Sequence, residues 1–97
     1  MIKIDDQYLT IVKNIIKKHV PECEVKAFGS RVNGTPKIYS DLDLAIKNSK
    51  KIPIEKIIAL KDDFDDSIIP FRIDIIDWNA ISNEFKNIID KNCETIQ

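Results

Sequence analysis

The sequence predicts a small α/β (α+β) domain in which helices cover one face of a β-sheet. Three stretches carry apolar residues at the three-and-four spacing of a helix, and three short stretches alternate with period two. They follow one another as helix, strand, short turn, strand, helix, strand, helix, an alternation that points to helices layered on a sheet. The chain has 97 residues, 43% of them apolar. That is enough for one modest core, so residues 1–97 are expected to form a single domain.

Asp5 to Val20 reads as the first helix, with Tyr8, Ile11, Val12, Ile15 and Ile16 on one apolar face. Asp5 and Asp6 suit its amide end and Lys17, Lys18 and His19 its carbonyl end, and Pro21 stops it. His19 is read as a charge at that carbonyl end rather than as a catalytic base. Glu24 to Phe28 reads as a strand, with Val25 and Ala27 on one side and Lys26 and Phe28 on the other. Gly29 comes next, and Ser30 suits the N-cap of a helical turn over Arg31 to Gly34.

Asp41 to Ile46 alternates cleanly: Asp41, Asp43 and Ala45 on one face, Leu42, Leu44 and Ile46 on the core face. Pro53 fits the first position of a second helix with Ile54, Ile57, Ile58 and Lys61 on one face and Leu60 and Phe64 beside it. The acidic run Asp62 to Asp66 reads as a solvated helix end, not a metal site. Phe71 to Ile76 is the third strand, with Phe71, Ile73 and Ile75 opposite Arg72, Asp74 and Ile76. Trp78 anchors the junction between this strand and a last helix, which Asp77 or Asn79 could cap. Ile81, Phe85, Ile88 and Ile89 form the buried stripe of that helix, which reaches Asn92.

Composition removes several function classes. The formal net charge is −1, which argues against an electrostatic nucleic-acid binder. Cys23 and Cys93 lack the spacing of a zinc site or a disulfide framework. The start lacks the apolar run of a signal peptide and no window reaches membrane-spanning length, so a cytoplasmic protein is expected.

The chemistry concentrates between Phe28 and Ile46, which contains both glycines. Aspartates at i and i+2 on a strand point the same way and repel unless a cation lies between them. Two Mg²⁺ ions would remove the conflict, since Mg²⁺ takes hard oxygens and is shared between carboxylates and substrate phosphates. Asp74, on a neighbouring strand, would complete the ligands and could accept a proton from an attacking hydroxyl. The Ser30 hydroxyl and the amides after Gly29 could hold a triphosphate tail. Arg31 could add a charge-assisted contact to it or stay in solvent, and Ser40 could orient Asp41 or simply end the loop.

Gly29 to Gly34 (GSRVNG), then Ser40 to Leu44 (SDLDL) and Arg72 to Asp77 (RIDIID), resembles the polymerase-beta-type nucleotidyltransferase superfamily. Within it the short chain is similar to the minimal nucleotidyltransferases (MNT proteins). The resemblance implies a small mixed sheet flanked by helices, two Mg²⁺ ions, and transfer of a nucleoside monophosphate, such as AMP from ATP, to an acceptor hydroxyl. Asp41 and Asp43 match the paired metal ligands, Asp74 the third carboxylate, and Gly29 and Ser30 the phosphate-binding turn. Many such proteins are antitoxins paired with an all-helical HEPN-type toxin, and some attach AMP to a tyrosine of that toxin. Here Val32 and Asn33 stand in the family's GSRARG turn, and Asn33 removes a positive charge. The alternative is a non-catalytic antitoxin that neutralises its partner by covering it; transfer to a small molecule or an RNA end is weaker. The identity of the nucleotide and self-association stay open.

Overall fold

The structure, a computed structural model, describes residues 2–97. In order it has α1 (Asp6–His19), β1 (Glu24–Phe28), α2 (Ser30–Asn33), β2 (Leu42–Lys47), α3 (Ile54–Asp65), β3 (Ile73–Asp77), a 3-10 turn (Trp78–Ala80), α4 (Asn83–Lys91) and β4 (Cys93–Thr95). The sheet order is β3-β2-β1-β4. β2 and β3 are parallel, with α3 as the crossover between them, while β1 runs antiparallel to both β2 and β4. The sheet is therefore mixed.

Alternation along the strands decides what each face does. Val25, Ala27, Leu42, Leu44, Ile46 and Ile75 pack with Val12, Ile15 and Ile16 of α1 and Leu60 and Phe64 of α3 into the main core. The opposite face is also partly covered, where the sequence suggests one covered face only. Ala45, Trp78 and Ile89 are buried there, with Phe28, Ile76, Ile81, Phe85 and Cys93 against them. Trp78 is thus a core anchor, and the ammonium groups of Lys26, Lys47 and Lys86 lie 5.0, 5.2 and 5.9 Å from its ring.

Several local expectations shift. Gly29, not Ser30, is the N-cap of α2, and Pro53 caps α3 from just outside it. Of α3's apolar residues, Leu60 and Phe64 are buried while Ile54 and Ile58 stay exposed. Ile88 is also exposed, and Ile81 precedes α4, whose cap is Ser82 accepting from the Phe85 amide at 3.1 Å. Asp77 caps the 3-10 turn through the Asn79 amide. β4 has no counterpart in the sequence reading: its short, polar stretch shows no period, yet it pairs with Lys26 to Phe28 and covers an edge of β1 that would otherwise be open.

α1 and α3 are also tied at the surface. His19 Nε2 lies 2.8 Å from Asp63 Oδ2, and this contact, ahead of Lys18, holds the Asp63 carboxyl below the usual carboxylate range. His19 is thus engaged with Asp63 of α3. The burial pattern of α3 gives a clean test. Leu60→Ala should cost about 2–5 kcal/mol in urea unfolding, whereas Ile58→Ala should stay within about 0.5 kcal/mol.

Candidate active site

The site is built where β1 turns into α2 and where the polar face of β2 meets β3. Gly29 has φ 82° and ψ −160°, a region of backbone space that essentially only glycine occupies. A Cβ there would also stand 2.2 Å from Asp43 Oδ2. Two separate constraints thus demand glycine: the turn's geometry, and the approach of a carboxylate to bare backbone. The turn's own bonds begin at Val32 and Asn33, whose amides donate to the Gly29 carbonyl at 3.0 and 3.1 Å. The amides of Ser30 and Arg31 precede these bonds, as at the start of any helical turn, and the Ser30 side chain is exposed.

Asp43 and Asp74 are register partners across the parallel β2–β3 pair. Neighbouring strands lie roughly 4.8 Å apart and in-register side chains share a face, so the two carboxylates stand beside each other. Asp41 lies two residues before Asp43, just outside β2. Burial, then Asp74, then Asp41 push the Asp43 carboxyl up to about 6, with Arg72 opposing. Like charges in a half-buried corner produce this effect.

Arg72 is a site residue that the motif reading passes over. Its Nε and Nη2 donate to Asp74 Oδ1 at 2.9 and 2.7 Å. Asp74 first, then Asp41 and Asp43, raise its pKa above the ordinary arginine value. The signal was in the strand pattern, which already puts Arg72 and Asp74 on one face.

Arg31 is expected at a triphosphate or in solvent; in the structure its donors are taken up by the protein's own carbonyls. It is 6% exposed. Nε donates to Ser40 O at 2.8 Å, Nη1 to Lys3 O at 3.1 Å, and Nη2 to Ile38 O at 3.1 Å and more weakly to Lys37 O at 3.4 Å. Its guanidinium carbon lies 3.9 Å from the centre of the Phe71 ring. Burial lowers its pKa, and Asp41 and Asp5 counter that. Of the two readings of Ser40, the loop-ending one fits: its Oγ accepts from the Lys37 amide at 2.8 Å and its own amide donates to Lys37 O at 3.0 Å. Lys3 adds a strap, its amide donating to Arg31 O at 2.6 Å and its ammonium to Gly34 O.

Among the described residues no three acidic, histidine or cysteine side chains form a ready-made metal cluster. The donor set nonetheless suits a hard cation. Asp41, Asp43 and Asp74 offer only carboxylate oxygens, and beyond its burial the Asp43 carboxyl is raised by its neighbours Asp74 and Asp41, with Arg72 opposing. Mg²⁺ fits such an incomplete set because it keeps water and phosphate oxygens as its other ligands.

A family model described as "Polymerase beta, Nucleotidyltransferase" matches residues 10–96. The "Probable protein adenylyltransferase MntA" of Haemophilus influenzae is 44% identical over 94 residues, 97% of this chain and 82% of that protein. Among solved structures, one described as a toxin-antitoxin with AMP-PNP superposes with a TM-score of 0.77 at 17% identity, covering 92% of this chain and 72% of the other. Another, a tri-AMPylated Shewanella oneidensis HEPN toxin in complex with MNT antitoxin, gives 0.60 at 16% identity, with 92% and 71% covered. The structural matches establish a shared fold. No helix among the described residues is long and apolar enough to cross a membrane.

Two outcomes are expected from this geometry. Gly29→Ala should lose about 1–3 kcal/mol from backbone strain alone and displace Asp43, read by thermal melting together with nucleotide binding. Metal-free Asp43→Asn should instead be more stable than wild type at pH 7, by about 1 kcal/mol once solvent screening is allowed for. The sign follows from the raised pKa: the proton-linked stability is complete below the unfolded value of 3.8 and is lost as pH rises through about 6. Melting scans from pH 4 to 8 should therefore slope in the wild type and flatten in Asp43→Asn.

Proposed function

The chain belongs to the polymerase beta nucleotidyltransferase family, and on that premise we propose that it moves AMP from ATP to a hydroxyl of a protein partner. The acceptor is a tyrosine of a HEPN-type toxin, and the transfer makes this chain the antitoxin of the pair, acting in the cytoplasm. The observation that carries the reading is the register pairing of Asp43 with Asp74, with the Gly29 turn closed against Asp43 Oδ2. That contact brings a phosphate-holding turn and a carboxylate cluster into one corner, as transfer from a nucleoside triphosphate requires. The relative named as a protein adenylyltransferase supports a protein acceptor. The tri-AMPylated HEPN toxin found with an MNT antitoxin supports a toxin in that role.

The roles divide by chemistry. Ser30 and the amides that open α2 hold the β and γ phosphates, and Asp41 and Asp43 would hold Mg²⁺. When bound, Mg²⁺ supplies charge stabilisation at the attacking and leaving oxygens. Asp74 faces the acceptor and takes its proton as the hydroxyl oxygen bonds to the α-phosphorus and pyrophosphate leaves. For Asp74 to act, Arg72 must release Oδ1. Its guanidinium is exposed and can move to solvent or to a phosphate oxygen at little cost.

The test is transfer of label from α-labelled ATP with Mg²⁺ to the helical partner, with Asp41→Asn/Asp43→Asn as the control. Label should appear on the partner and fall by a factor of about 10³ or more in the control, as expected where electrostatic stabilisation carries the rate. If the control protein neutralises the toxin as well as wild type does, neutralisation works by binding, and absence of label on an active, folded partner overturns transfer to the toxin.

A further inference from the structure

We infer that Arg31 is a positioning residue for nucleotidyl transfer, its guanidinium setting from inside the distance between the phosphate-holding turn and the carboxylate strands. This rests on the transferase reading above and adds to it a residue that touches neither substrate nor metal.

The two halves of the site are joined by residues 35–40, which contain no helix or strand and lead directly into Asp41. Such a loop must be fixed for Asp41 to have a defined place, and fixing its backbone costs conformational entropy. Its two large apolar side chains do not hold it, since Ile38 and Tyr39 are 73% and 74% exposed. The loop is instead gripped by its carbonyls. Lys37, Ile38 and Ser40 all accept from Arg31, and Ser40 is the residue before Asp41. The same guanidinium packs on Phe71, three residues before Asp74, and binds the Lys3 carbonyl of the strap behind the turn. One planar group, carried on the turn itself, thereby contacts the Lys3 strap, the loop into Asp41 and the approach to β3. Lysine, a single point charge without a flat face, cannot make this set of contacts.

The position also opens outward. Arg31 lines a cleft of about 770 Å³, together with Tyr8, Val32, Ile38 and Phe71. A guanidinium ion from solvent can therefore reach the place that a truncated Arg31 would vacate.

The experiment uses the full chain with Arg31→Lys and Arg31→Ala. It measures far-UV CD and melting, hydrogen exchange of the bonded amides of Lys37, Ser40 and Leu42, MgATP binding by calorimetry, and AMP transfer to the partner. Both variants should fold, lose protection at the amides of Lys37, Ser40 and Leu42, and lose transfer by on the order of a hundredfold, the scale of a 1 Å misplacement. Millimolar methylguanidinium should restore part of the MgATP affinity and transfer in Arg31→Ala, and none in Asp43→Asn. Wild-type protection and affinity in a folded Arg31→Lys would overturn the inference, because that is what a direct phosphate contact replaceable by any cation predicts. Failure of both variants to fold would overturn it too, as would loss in Arg31→Ala with no rescue, since each assigns Arg31 to the fold alone. If wild type itself transfers nothing, the transferase reading fails, while exchange and MgATP binding still decide the role of Arg31.

Discussion

The constraint on which the rest depends is electrostatic: three carboxylates brought to one corner of a small sheet, with Asp43 half-buried between Asp41 and Asp74. Such a corner opposes folding unless something offsets it. Arg72 does so in part, through two bonds to one oxygen of Asp74. Gly29 removes a steric obstacle by leaving bare backbone beside Asp43 Oδ2. The main hydrophobic core lies on the opposite face, so its packing carries the cost of holding the charges together.

Strand alternation keeps the two tasks apart. Along β2, Leu42, Leu44 and Ile46 enter the core while Asp43 faces the other way. Two residues on, Ala45 shares Asp43's face but is already covered by Trp78 and Ile89. Chemistry is thus confined to one end of that face, and a small apolar cluster seals the other end. The parallel pairing of β2 and β3 then places Asp74 beside Asp43 with no further device.

Much of this was legible in the sequence because period and turn chemistry are local. The strand from Glu24 to Phe28, the glycine at 29 and the shared face of Asp43 and Ala45 all follow from spacing alone. What was not legible depends on contacts distant in sequence. Ile54, Ile58 and Ile88 carry the right residue type at a helical spacing, but which stripe is buried depends on where the sheet lies. β4 exists because β1 has an edge to cover, which no period within 93–95 reveals. Arg31 reads as a triphosphate contact or a solvent cation, since nothing local says that the carbonyls at 3, 37, 38 and 40 converge on it. The Arg72–Asp74 pair, by contrast, was visible in the alternation.

The separation of core from charge has a consequence for how the protein matures. No member of the acidic corner belongs to either apolar cluster, and Arg72 already supplies a counter-charge. The chain can therefore complete its fold before any divalent ion arrives, unlike domains that remain unfolded until their metal binds. Under the proposed reading, removing the ion would leave the apolar packing in place, and with it the resistance to proteases that packing gives.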